Sequence, residues 1–121
     1  MPFNSGHFLS SKEDKLNKIY SYAVILLIHL IKQEVEKRTT RSGNVSIKNS
    51  VREINRVNKR KSGGYYASDV ELLDIISEAM PAAVDCASLE VSEGLYESMD
   101  LMTLFDQILI IERAFKLIKN F

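Results

Sequence analysis

Few side chains in this sequence could act as catalytic groups: two histidines, His7 and His29, and one cysteine, Cys86. A cysteine nucleophile needs a base such as histidine, and a zinc site needs several Cys or His ligands at fixed spacing. Neither pattern occurs, nor does a phosphate-binding glycine loop or a calcium loop. His29 lies in an apolar segment, which favours a packed, hydrogen-bonded histidine, and we expect Cys86 to be buried and inert. We therefore predict no catalytic residue, no metal site, no cofactor and no enzymatic activity.

Carboxylates are far more numerous, and they concentrate in the second half of the chain. Residues 69–100 contain nine carboxylates and no Lys or Arg. Glu71, Asp74 and Glu78 fall within about 60° on one helical side, which is typical of a solvated face rather than of a catalytic pair in a pocket. Such a surface also suits docking onto a basic protein, and nucleases are basic because they bind phosphates. The predicted partner-binding residues are Asp69, Glu71, Asp74, Glu78, Asp85, Glu90, Glu93 and Glu97.

Basic side chains concentrate in the first half. Residues 1–66 contain thirteen Lys or Arg and five Asp or Glu, whereas residues 67–121 contain three and eleven. The formal net charge of zero therefore divides into +8 and −8. So large an asymmetry predicts two different electrostatic surfaces, unless the two halves fold face to face and neutralise each other.

The basic residues suggest an alternative function as a nucleic-acid-binding regulator. Its candidate residues are Lys48, Arg52, Arg56, Lys59 and Arg60, with Lys61 beside them. They lie on a predicted helix that is followed by a second one, an order that invites comparison with helix-turn-helix proteins. However, the second helix, which would enter the DNA groove, is the acidic one and would be repelled. A merely solvated or internally paired stripe is a further interpretation.

The element that organises the rest of the chain is the apolar segment Ile19–Ile31, interrupted only by Ser21 and His29. A helix that is apolar nearly all round is normally buried on most sides, so other elements should pack against it. Its near-continuous part is well short of the roughly 20 apolar residues that a membrane span needs. We predict a first helix from Ser10 or Ser11 to about residue 38, preceded by a flexible arm over residues 1–9.

Four further segments have apolar residues at helical spacing, or residues that typically begin or end a helix. The second helix should start at Ser46 and the third at Ser68, where Glu71 completes a capping box. Pro81 should end the third helix and open a short fourth one. The predicted ranges are 46–61, 68–80, 82–89 and 98–120, with an acidic connection or a further helical turn over 90–97. In the last helix, Ile108 and Leu109 should belong to a broad buried face.

The sequence thus predicts an all-α, single-domain bundle of four to five helices over residues 1–121, with a long, largely buried N-terminal helix and a long C-terminal helix. One cysteine cannot form an internal disulfide, and the N-terminus has no signal-peptide pattern, so we expect a cytoplasmic protein. The expected function is binding of a basic protein partner, as in an immunity protein or antitoxin that inhibits a nuclease toxin. That is an analogy of class, without any shared motif. The oligomeric state stays open.

Overall fold

The computed structural model describes the backbone of residues 2–121 and the side chains of residues 12–121. Over that part of the chain the protein is all-α and contains no strand. The elements are α1 (Pro2–Glu36), α2 (Arg41–Asn58), α3 (Asp69–Glu90), a 3₁₀ turn (Val91–Gly94), α4 (Ser98–Met102) and α5 (Gln107–Lys119). The predicted helical bundle, with a long N-terminal helix and a long helix near the C-terminus, is confirmed.

Helix α1 provides the face on which the other helices pack. Its fully buried residues are Ile19, Ala23, Leu26, Leu27, Leu30 and Ile31. Their spacing places them within an arc of about 140°. Helices α2 and α3 pack on the two flanks of this face, and α5 contacts α1, α2 and α3. The opposite side of α1 is less covered than its apolar composition suggests, since Ile25 there is 41% exposed.

Side-chain contacts between helix ends show how the helices run. Gln33, near the end of α1, donates a hydrogen bond of 2.8 Å to Asn44 in the first turn of α2. Lys32 pairs with Glu90, the last residue of α3, at 3.1 Å. The last turn of α5 is joined to the first residue of α3. Helices α2 and α5 are therefore antiparallel to α1, and α3 is parallel to it.

The boundaries of α1 and α2 differ from the predicted ones. Helix α1 begins at Pro2, so Ser10 and Ser11 lie inside the helix rather than at its start. The predicted arm over residues 1–9 stays a prediction, because the side chains of residues 1–11 lie outside the described part of the chain. Helix α2 begins five residues before Ser46, because the side chain of Thr40 accepts a hydrogen bond of 3.0 Å from Gly43 N–H and caps the helix.

The prediction that Pro81 ends a helix is wrong. Helix α3 continues through Pro81 to Glu90 and so joins the predicted third and fourth helices. Pro81 is exposed, whereas the buried face of α3 extends without a break from Ile76 before it to Ala83 and Ala87 after it. Burial on both sides of the proline offsets the cost of the missing backbone hydrogen bond. The predicted capping box of Ser68 and Glu71 is confirmed.

The predicted last helix is divided into α4 and α5. The carboxylate of Asp106 accepts hydrogen bonds from the N–H groups of Ile108, at 3.0 Å, and Leu109, at 3.3 Å, and so starts a new helix. This local bond competes with continuation of a single helix. The break turns α5 so that Ile110, Ala114 and Ile118 face the core. The expected burial of Ile108 and Leu109 is therefore wrong, since both side chains are exposed.

A test of this packing compares two neighbouring residues of α1. Leu27→Ala removes a fully buried side chain and should lower the free energy of unfolding by about 2–5 kcal/mol. The matched control, Ile25→Ala on the open side of the same helix, should cost less than about 1 kcal/mol. Urea unfolding followed by circular dichroism measures both. Equal losses would contradict the assignment of the buried face.

Candidate functional site

Two charged grooves lie on opposite flanks of α1, one against α3 and the other against α2. Helical geometry places Glu13 and Lys15 on different flanks of α1, because their side chains point about 200° apart around the helix axis. Glu13 faces α3, and Lys15 faces the end of α2. The opposite charges of the two halves of the sequence therefore appear on different sides of the bundle.

The groove between α1 and α3, here called the acidic groove, encloses about 510 Å³. It is lined by Glu13, Leu16, Asn17, Tyr20, Glu71, Asp74, Ile75 and Glu78. Carboxylates from both helices thus converge around the apolar side chains of Leu16 and Ile75 and the ring of Tyr20. The arrangement offers four acidic groups for a cationic ligand and an apolar surface between them.

The carboxylates of the acidic groove differ in how firmly they are held. Glu71 accepts a hydrogen bond from Ser68 N–H, which lowers the pKa of the Glu71 carboxyl, and the Lys12 ammonium at 3.3 Å lowers it further. Glu71 is therefore a charged residue with a structural task at the start of α3. Asp74 and Glu78 are exposed, and neither has an ion-pair partner among residues 12–121. These two carboxylates are available to a partner.

The other predicted acidic residues do not join this groove. Asp69 pairs with Lys119 at 2.8 Å, and Asp85 accepts a hydrogen bond of 2.7 Å from the Ser98 hydroxyl. The remaining ones, Glu90, Glu93 and Glu97, lie at or beyond the end of α3. The structure thus brings together Glu71, Asp74 and Glu78 of the eight predicted residues. It adds Glu13. The sequence analysis did not include this residue among the candidates, because the packing of α1 on α3 cannot be read from helical spacing.

The groove between α1 and the end of α2, here called the basic groove, encloses about 680 Å³. It is lined by Lys15, Arg56, Val57, Lys59, Arg60, Lys61, Ser62 and Tyr66. The Lys15 ammonium lies 5.9 Å, and the Arg60 guanidinium 5.5 Å, from the centre of the Tyr66 ring. Cations stacked on an aromatic ring next to further cations form a surface that suits polyanions.

The position of Tyr66 depends on the buried residue Asn58 at the end of α2. Its backbone carbonyl accepts a hydrogen bond of 2.8 Å from Tyr66 N–H, and its side-chain oxygen accepts one of 2.8 Å from Ala67 N–H. The connection between them is a tight turn in which Gly63 and Gly64 have φ angles of 101° and 73°, a region that favours glycine. The loop after α2 is thereby fixed against the basic groove.

Three of the predicted nucleic-acid-binding residues, Arg56, Lys59 and Arg60, line the basic groove. Lys48 and Arg52 lie outside it, on the exposed surface nearer the start of α2. Lys15 and Tyr66 were missed, because only the packing of α1 on α2 and the turn at Asn58 bring them there. Arg56 pairs with Glu53 of its own helix at 2.7 Å, which raises the pKa of Arg56.

The two charged helices do not neutralise each other. Within residues 12–121, the only ion pair of a basic-groove residue is the local pair of Arg56 with Glu53. Two ion pairs link the first half of the chain to the second, Lys12–Glu71 and Lys32–Glu90, and both come from α1. The basic surface of α2 and the acidic surface of α3 therefore both face solvent.

A third groove, of about 460 Å³, lies where the end of α1 meets the end of α3. It is lined by both basic and acidic side chains. It contains His29, Lys32, Glu36, Glu90 and Glu93, among others. His29 is half-buried and makes no side-chain hydrogen bond within the described part of the chain, unlike the packed, hydrogen-bonded histidine that was expected. Burial lowers its pKa, and Lys32 adds to this effect while Glu90 opposes it.

Side chains typical of catalysis or metal binding are not grouped. Among the described residues, no three or more His, Cys, Asp or Glu side chains are placed to hold a metal ion. Cys86 is exposed, so the expectation of a buried cysteine is wrong. In the second half of α3 the buried residues are Ala83, Val84, Ala87 and Ser88, and Cys86 points outside the arc that these residues span. In the same residues, no helix is both long and apolar enough to cross a membrane.

The lowered pKa of His29 predicts a pH dependence of stability. The unfolded chain binds a proton near the ordinary pKa of 6.5, whereas the folded chain binds it only at lower pH. Stability should therefore fall as the pH drops below 6.5, until the folded-state pKa is reached. His29→Gln should remove this part of the acid destabilisation, as measured by urea unfolding at several pH values. Identical pH profiles for the two proteins would contradict it.

Comparisons with known proteins complete the description of the site. No protein-family model matches the chain. No curated protein and no solved structure matches it either.

Proposed function

We propose that this protein is a non-catalytic binding protein that docks onto a basic protein partner through the acidic groove. The observation that carries the proposal is the convergence of carboxylates from two helices, Glu13 from α1 and Asp74 and Glu78 from α3, around the ring of Tyr20. Charges steer association, and a buried aromatic or apolar centre contributes the binding energy that charges alone do not supply. The groove offers both.

A cytoplasmic inhibitor of the immunity-protein or antitoxin type is the class that fits these features best. A nuclease toxin would present Lys and Arg side chains around its phosphate-binding cleft, and an acidic surface seated there would block access to nucleic acid. Such an inhibitor needs no catalytic group of its own. Neither Asp74 nor Glu78 has an ion-pair partner among residues 12–121, which supports the proposal because their charges are available for a partner.

The test reverses three groove charges and spares Glu71, whose carboxylate caps α3. Glu13→Lys, Asp74→Lys and Glu78→Lys together should lower the association rate with a basic partner by about 10-fold or more, because steering becomes repulsion. The partner is isolated from source cells on the tagged wild-type protein and identified by mass spectrometry. Stopped-flow fluorescence then measures the rate at about 50 mM and about 200 mM salt, and the wild-type rate should fall with salt.

A matched triple variant controls for net charge. Asp14→Lys, Glu34→Lys and Glu53→Lys change the total charge equally, but these residues lie outside the acidic groove. This variant should change the association rate by less than about 3-fold, because distant charges are screened. If the two triple variants slow association equally, only net charge matters, and the acidic groove is not the docking site.

The basic groove favours a second candidate, a nucleic-acid-binding regulator. Its support is the Tyr66 ring beside Lys15, Arg60 and neighbouring cations, since stacked bases and neutralised phosphates are how single strands are bound. This candidate ranks second because the −8 half of the chain would repel nucleic acid from the rest of the surface.

Mutations inside and outside the basic groove test this second candidate. Arg60→Glu with Tyr66→Ala should weaken binding of a fluorescent oligothymidine by about 10-fold or more, whereas Lys48→Glu with Arg52→Glu, outside the groove, should weaken it less. Fluorescence anisotropy measures both affinities. Wild-type protein that does not bind the oligonucleotide at low salt would rule out the second candidate.

A further inference from the structure

Six large apolar side chains are exposed together in the segment from residue 95 to residue 109. They are Leu95, Met99, Met102, Leu104, Ile108 and Leu109, and we refer to them as the Met/Leu surface. Met99 is 81% exposed and Ile108 68%. Single exposed apolar residues are normal, but several within a short segment indicate a candidate interaction surface.

The Met/Leu surface is held in place by ordered contacts beneath it. Leu101 of α4 is fully buried, so Met99 on the opposite side of that short helix must face outward. Ser98 anchors α4 to α3 through its hydrogen bond to Asp85, and Tyr96 and Phe105 pack on the core from either side. The apolar side chains are thus presented on a folded support.

The border of the Met/Leu surface is acidic. Glu97, Asp100, Asp106 and Glu112 are exposed between or beside its members. No Lys or Arg occurs from residue 62 to residue 112. The α5 end is the exception, because Arg113 and Lys116 line a groove there with Leu109 and Glu112. An apolar centre with a mainly acidic rim is complementary to an amphipathic segment whose flanks carry the opposite sign.

We propose that the Met/Leu surface docks an amphipathic, cationic helix of the partner, with apolar side chains on one face and Lys or Arg on its borders. This inference rests on the proposed function and names the element of the basic partner that is bound. Methionine and leucine side chains adapt to different apolar partners, which suits a helix-in-groove contact. A second copy of the chain is a poor occupant, because a symmetric contact would bring carboxylates such as Glu97 and Asp100 against each other.

The Met/Leu surface is separate from the acidic groove. The acidic groove lies beside the first turns of α3, whereas the Met/Leu surface follows the end of α3, where Glu90 meets Lys32 near the end of α1. Helix α4 is joined to α3 at Asp85, seven residues after Glu78 of the acidic groove, so about 10 Å along α3 separates that groove from the anchor of α4. Variants of one site can therefore be made without touching the other.

The experiment uses a synthetic peptide of about 18 Leu and Lys residues, with Leu at helical spacing along one face, a length of about five turns. A second peptide has the same composition in an order that gives no apolar face. We expect the amphipathic peptide to bind the full chain at least about 10-fold more tightly than the scrambled one at about 150 mM salt, by fluorescence anisotropy. Equal binding of the two peptides would overturn the inference, because charge alone would then explain it.

Paired variants locate the peptide. Met99→Ser with Ile108→Ser should weaken binding of the amphipathic peptide by about 10-fold or more, since two apolar contacts are lost. The control pair, Val45→Ser with Val70→Ser, removes side chains that are 57% and 69% exposed elsewhere and should change the affinity by less than about 2-fold. Similar losses in both pairs would contradict docking at the Met/Leu surface.

Two further measurements separate this inference from the proposed function and from self-association. If Glu13→Lys, Asp74→Lys and Glu78→Lys abolish peptide binding while Met99→Ser with Ile108→Ser does not, the acidic groove remains the docking site and the present inference fails. If the opposite holds, the present inference stands, and the association rates of the partner with the groove variants decide the groove proposal separately. Sedimentation velocity that shows a dimer lost in Met99→Ser with Ile108→Ser would assign the surface to a second copy and would also overturn the inference.

Discussion

The structure depends above all on covering one apolar face of α1. Six side chains from Ile19 to Ile31 are fully removed from water on that face, and burial of apolar surface stabilises a fold by roughly 25 cal/mol per Å². One neighbouring helix cannot cover an arc of about 140°, so α2 and α3 take one flank each. The charged sides of α2 and α3 are thereby kept apart by α1. The basic first half and the acidic second half of the sequence therefore form separate charged surfaces.

This constraint also explains where the grooves form. A groove arises on each flank where side chains of α1 meet those of its neighbour without filling the space between them. On one flank Tyr20 of α1 meets Ile75 of α3 among carboxylates, and on the other Lys15 meets Arg60 and the ring of Tyr66. Both grooves form between α1 and a neighbouring helix, but they have opposite charge. The acidic groove suits cationic ligands, and the basic groove suits anionic ones.

The acidic groove and the Met/Leu surface both carry carboxylates but differ in chemistry. The acidic groove combines exposed carboxylates with one aromatic ring, which suits cationic side chains. The Met/Leu surface combines exposed apolar side chains with an acidic border, which suits an amphipathic segment. A single basic partner can engage both if it extends along α3, and two moderate contacts on one partner raise the overall affinity well above that of either contact.

The sequence by itself determined the helical class, the central position of the segment around Leu27 and the capping box of Ser68 and Glu71. Each of these follows from local spacing, which acts within a few residues. The tertiary structure alone decided that α3 continues through Pro81 and that Ile108 is exposed. It also decided that Glu13 joins Asp74. The physical reason is that burial on both sides of a proline, or the meeting of side chains from two helices, depends on contacts between residues far apart in sequence.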